Sequence, residues 1–265
     1  MKSEVPRSLK LVATVMCASL YAAGAYATAY IPSPWGFGQF RPAVVIPAFF
    51  AVIFGPLSAG IGAAIGTLIA DSIKHGTLYM GSLIAAVPGN FIGFYLFGHI
   101  CKKFSWGRFV AATNITLTLA NFIVAFLYIY GYKMLYLQAI RMSLADLLVL
   151  AVGLTIWWFV TMLPFVLVIT PLLIRAVSAA VPSVVPLQVR RRSVREDLPK
   201  SSFGLSMLIP GAILLTLALT TTYTEFGSFL MAANKLPVLA PLEVLLYGSG
   251  IALSSLGVYM ILRSK

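Results

Sequence analysis

Eight runs of apolar side chains, parted by short polar turns, fill most of this chain. In hydrocarbon each peptide group must be satisfied within the protein, so such runs read as helices. They lie at roughly 9–31, 42–55, 57–73, 78–100, 109–130, 145–174, 204–222 and 240–262, with boundaries good to about 2–4 residues. Most of them reach the ~20 residues that a spanning helix needs. Hydrophobic residues make up 60% of the chain and charged residues 10%, and the mean hydropathy is +0.95. That balance is too apolar for a water-facing surface, so the expected fold is an all-α, polytopic membrane protein.

The runs at 42–55 and 57–73 are short, and Gly55-Pro56 divides them. Loop charge decides whether they count as two crossings. With the amino terminus inside, 14 Lys and Arg residues fall on the inner side and five on the outer. The inner set includes the dense run Arg190-Arg191-Arg192 with Arg195 and Lys200 just beyond; the outer set is Arg41, Lys74, Lys133, Arg141 and Lys235. This is the asymmetry of the positive-inside rule, and it appears only if the short pair crosses twice. Both termini are then expected in the cytoplasm. The net charge of +12 becomes a topological signal and a contact with anionic headgroups rather than a nucleic-acid footprint. Ala25-Tyr26-Ala27 resembles a signal-peptidase site, but the apolar run continues through Ile31 and its loss would spoil the even helix count. Cys17 and Cys101 support neither a disulfide framework nor a metal site.

Lipid gives helices no hydrophobic reward for meeting, so close packing needs small residues. Ala18-x-x-x-Ala22, Ala25-x-x-x-Ala29, the Gly62, Gly66 and Ala70 series, and Gly89 with Gly93 all have that spacing. Each serves either internal packing or a partner, and spacing alone does not choose. Polar residues inside the runs are candidates for a site, because each must be paired or face water. Asp71 has Lys74 and His75 three and four residues on. Asn114, Thr118 and Asn121 form one stripe, and Pro88 with Asn90 interrupts the fourth helix where a kink opens space. The segment Pro32 to Arg41 reads as an ordered loop whose Trp35 and Arg41 suit stacking on a planar ligand and bidentate bonding to an anionic one. Tyr128, Tyr130, Tyr132 and Tyr136 cluster near the outer end of the fifth helix, and Trp157-Trp158 offers a second stacking platform.

No phosphate-binding loop, nucleophile elbow or histidine metal spacing occurs. Seven acidic residues are few for an ion-driven pump, although Asp71 alone suits one. The expectation is a binder or conduit, not an enzyme, with no cofactor and no engine of its own.

The stretch from Arg41 to Asp71 resembles the S components of energy-coupling factor (ECF) transporters, the membrane subunits that capture vitamins and other micronutrients. The resemblance lies in a short helix opening with Pro42, the turn Phe54-Gly55-Pro56, a glycine-rich third helix and the acidic residue that closes it, and it covers about residues 1–175. It implies a six-helix core with a ligand cavity open to the outside, capped by the first loop and lined by helices four to six. By position that points to Trp35, Gln39, Arg41, Asn90, Asn121, Tyr128, Asp146 and Trp157. Asp71, Lys74 and Arg141 join the candidates as charges on the same side. The resemblance further implies that Ala18 and Ala22 contact a transmembrane coupling subunit, and that two partner ATPases supply the power. A basic linker at 176–203 and a two-helix hairpin at 204–265 depart from the family, whose members usually stop at six helices. The expected function is therefore substrate capture for ATP-driven uptake of a vitamin-like molecule. The rivals are an autonomous secondary transporter and a sensor or scaffold that recruits a partner through the linker.

Overall fold

The computed structural model describes residues 6–30, 38–234 and 239–264. Among them the regular structure is helical. Seven helices are long and apolar enough to cross a bilayer: α1 (Arg7–Ala27), α3 (Pro56–His75), α4 (Ser82–Ile100), α5 (Trp106–Tyr136), α6 (Leu144–Ala180), α9 (Lys200–Tyr223) and α11, of which Leu242–Leu262 forms the span. A shorter apolar helix, α2 (Pro42–Phe54), lies between the first two of them. Short helices α7 (Leu187–Arg190), α8 (Val194–Asp197) and α10 (Phe226–Asn234) lie in connections, and the whole of α11 is Ala240–Leu262. The chain is an all-α, multi-pass membrane protein.

Direction is fixed by contacts between α1 and α3. Ser58 donates to the Lys10 carbonyl at 3.3 Å and Lys74 to the Ala29 carbonyl. Between these rungs, Gly62 faces Cys17 and Gly66 faces Ala18. Residue numbers rise together along both helices, so α1 and α3 are parallel, and the intervening α2 must return the chain across the bundle. At about 1.5–2 Å per residue its thirteen residues reach only ~20 Å, short of the ~30 Å hydrocarbon core. It tolerates this because α1, α3, α4 and α6 surround it. Seven of the ten residues from Val45 to Phe54 are buried, so α2 meets protein rather than lipid. Gly55, at φ +91°, makes the turn into α3, a backbone region that a residue with a Cβ enters only at a cost.

The remaining helices alternate. Gly60 of α3 meets Phe91 and Tyr95 of α4, while Gly98 meets Pro56, so these two are antiparallel. Gly89 and Gly93 of α4 pack on Val124 and Ala120 of α5. The hairpin α9–α11 closes on its own glycines, with Gly204 against Gly257 and Gly211 against Ser254. It docks on the outer side of α5 and α6. One contact there is polar: the Asn114 amide donates to Ser206 Oγ at 2.9 Å and to the Val110 carbonyl at 2.8 Å. The stripe of Asn114, Thr118 and Asn121 is thus divided among different neighbours. Asn114 binds the hairpin, Thr118 is exposed and Asn121 is buried.

One expectation changes here. Ala18 and Ala22 are only 5% and 6% exposed, because the alanine stripe faces α3; a Cβ added at Gly66 would lie 2.7 Å from the Ala18 carbonyl. They do not form a free docking face. The basic linker at 176–203 is itself ordered by the bundle. Helix α6 runs on through Ala180, α9 starts at Lys200, and Val185 and Val189 between them are buried in the core.

Candidate functional site

At the end of the bundle opposite the arginine run, α1, α3, α4, α5 and α6 enclose a cavity of about 350 Å³. The irregular ends of α4 and α5 make room for it. Helix α4 begins with a wide π turn at Ser82–Ala86 just ahead of Pro88, and α5 ends with another at Leu127–Tyr136. Such turns displace side chains from the regular helical path and are common at functional sites.

Two tyrosine hydroxyls bridge these irregular ends: Tyr79 and Tyr128 lie 3.1 Å apart. Burial, aided by the bond to Tyr128, pushes the Tyr79 hydroxyl well above its ordinary pKa, so it stays protonated and able to donate. The His75 ring stacks on Tyr79 with centroids 3.7 Å apart. Across the cavity, Asn121 makes one weak contact, from its amide to Met162 Sδ at 3.8 Å. Asn90 has no side-chain partner among the described residues. Two amides with unused hydrogen-bonding capacity therefore line one space.

The charges are arranged differently from expectation. Arg41 forms an ion pair with Asp71, and their side chains are 12% and 6% exposed. The same guanidinium bonds Thr67 Oγ1, and Gln39 Oε1 at 3.3 Å. Arg41 is therefore consumed by α3, with Tyr21 of α1 against it, instead of standing free for an anion. Among the described residues, Lys74 is the remaining Lys or Arg of the lining, 5.5 Å from the Tyr30 ring centre. Asp71 and Arg41 neutralise each other, so this one ammonium sets the sign of the cavity.

Trp158 roofs the cavity with Gly38 and Gln39. Its Nε1 donates to the Gln39 carbonyl at 3.0 Å. Gly38 has φ +76°, and a Cβ there would fall 2.3 Å from Trp158 Cζ2. The residue at this point must be glycine on both counts.

Of the expected site residues, Gln39, Arg41, Asp71, Lys74, Asn90, Asn121 and Tyr128 all line the cavity. Trp35 lies outside the described residues. Trp157 does not line it; this side chain is buried in the apolar core, because one step along a helix rotates a side chain by about 100° and hands the cavity to Trp158. Asp146 is also elsewhere, accepting from Ser143 Oγ at 2.7 Å in the first turn of α6, where a carboxylate complements the helix dipole. Arg141 is exposed in the preceding loop and does not reach the lining. Tyr21, Tyr79 and Ser82 are lining residues that sequence reasoning missed. Ser82 and Tyr79 belong to an irregular segment whose facing no periodicity reveals. No protein-family model, curated protein or solved structure matches this chain.

Proposed function

We propose that this chain is the substrate-capturing membrane subunit of an ATP-driven uptake system, of the S-component kind that its first six helices resemble. The observation that carries this reading is the cavity itself: a polar pocket, lined by Asn90, Asn121 and Tyr128, set at one end of an otherwise apolar bundle. Its size is at the small end of the range for ligand sites, roughly 300–1,000 Å³, and fits a single small nutrient. The end that carries it is poor in cations. The opposite end gathers Lys102, Lys103, Arg108, Arg175 and the run Arg190 to Arg192, so by the positive-inside rule the cavity opens outward in a prokaryotic plasma membrane, with Arg7 and Arg263 on the cytoplasmic side.

The chemistry of the lining describes the ligand. Amides, a phenol and one ammonium suit a planar, hydrogen-bonding molecule with a single carboxylate or phosphate directed at Lys74. The chain has no nucleotide-binding loop, so delivery falls to a coupling subunit and two ATPases. The hairpin leaves this possible: it packs on α5 and α6, while the face of α1 carrying Val12, Met16 and Leu20 stays exposed to a partner or to lipid.

The test is mass spectrometry of the small molecule retained by the purified protein, followed by its titration against wild type, Asn90→Ala and Asn121→Ala. The reading requires a retained nutrient whose affinity falls about tenfold or more in both variants, the loss expected for a buried hydrogen-bonding group left without its partner. Uptake by the chain alone in vesicles, without ATPases, would instead establish the autonomous transporter, a role that Asp71 in the cavity makes chemically available.

A further inference from the structure

At the basic end the segment after α6 turns back beneath the bundle. Val185 and Val189 are each 2% exposed, and the Gln188 amide donates to the Lys102 carbonyl at 3.0 Å. The arginines that follow are thereby held against the α4–α5 turn. Between that turn and the returning segment lies an open groove of about 760 Å³, lined by Lys103, Ser105, Arg108, Arg191, Arg192 and Asp197 among others.

Among the described residues, four cations face this groove against one carboxylate. Asp197 is shared: it pairs with Arg192 at 3.4 Å and accepts from the Ser193 amide at 2.8 Å. Arg108 donates to the Lys103 carbonyl at 3.1 Å, which aims its guanidinium by fixing one edge. Arg191 and Lys103 have no side-chain partner among the described residues. The groove also receives the start of α5, a helix whose first residues carry no acidic side chain and whose Ser105 cap accepts from the Arg108 amide at 3.2 Å. A helix start adds positive potential to that of the side chains. Guanidinium forks and a helix N-terminus converging on one concave surface match the tetrahedral, multiply charged phosphate group.

We propose that this groove is a phosphate-binding site, independent of the outward cavity, that takes a phosphate group from the basic side of the membrane. Either an anionic lipid headgroup or a soluble pyrophosphate-type anion supplies that chemistry. The site is built by the fold, so charge placed outside it does not substitute for charge inside it.

The experiment uses the full chain in nanodiscs of phosphatidylcholine, with and without phosphatidylglycerol, and compares Arg191→Gln, Arg108→Gln and Arg190→Gln. The last is the control, since Arg190 carries the same charge next door but does not line the groove. Native mass spectrometry counts retained phosphatidylglycerol, and calorimetry in the phosphatidylcholine discs measures inorganic pyrophosphate. The proposal expects one of the two probes to bind, with a loss of about tenfold or more in Arg191→Gln and Arg108→Gln, as for a charge-assisted hydrogen bond, and little change in Arg190→Gln. Retention of phosphatidylglycerol identifies a lipid site; pyrophosphate binding in its absence identifies a soluble ligand. Binding of neither probe, or equal losses in Arg190→Gln and Arg191→Gln, overturns it, the second by showing diffuse attraction to a charged surface.

Discussion

Trp158 donates from Nε1 to the Gln39 carbonyl at 3.0 Å, tying the middle of α6 to the segment that precedes α2. This bond places the roof of the cavity under the control of a helix that also forms its wall. Gly38→Ala is expected to lose both the φ +76° conformation and the contact with the indole, costing about 1–2 kcal/mol for the left-handed backbone alone and more for the overlap. Trp158→Phe removes only the hydrogen bond and part of the ring, about 1 kcal/mol. Thermal unfolding in detergent should rank Gly38→Ala as the more damaging change; the reverse order would mean that the segment is not held by the tryptophan.

The buried pair of Arg41 and Asp71 is a structural element first. Removing one partner leaves an uncompensated charge in a poor solvent, at a cost of about 3–5 kcal/mol. Arg41→Met and Asp71→Leu should each lower the unfolding temperature sharply, and the double variant should recover much of the loss. Singles as stable as wild type, with only ligand affinity reduced, would return Arg41 to the role of a free anion receptor that the sequence alone suggests.

Ala18→Leu and Gly66→Leu push side chains into the parallel contact between α1 and α3, where no space exists. Overpacking a tight interface costs about 1–3 kcal/mol. Both variants are expected to give poorly folded protein, read as loss of the monodisperse peak in size-exclusion chromatography. Well-folded variants that capture ligand but no longer transport it would restore the alanines to partner docking.

Asn114 and Ser206 join the six-helix core to the hairpin. Hydrogen bonds between membrane helices average only about 0.6 kcal/mol in double-mutant cycles. Asn114→Ala, Ser206→Ala and the double variant should therefore show a coupling of that size, while the glycine packing inside the hairpin survives. A coupling near zero would make apolar contact alone the attachment.

The sequence by itself determined the class, the helices and the gathering of basic residues at one end of the bundle. Apolar run length and loop charge are local quantities that add along the chain, so α1 to α6 and the hairpin were legible, including the two-way crossing by α2 and α3 that the parallel α1–α3 contact requires. Several polar lining residues were legible too, because Asn90, Asn121 and Asp71 are costly in hydrocarbon unless something faces them. What only the tertiary structure decided was rotation and neighbourhood. Trp158 rather than Trp157 faces the cavity, Ala18 packs inward, Asn114 and Asn121 serve different partners, and Arg41 is already paired. These depend on which helix stands opposite each face, and a side chain 100° around a helix exchanges a cavity for a core without any change in composition or spacing.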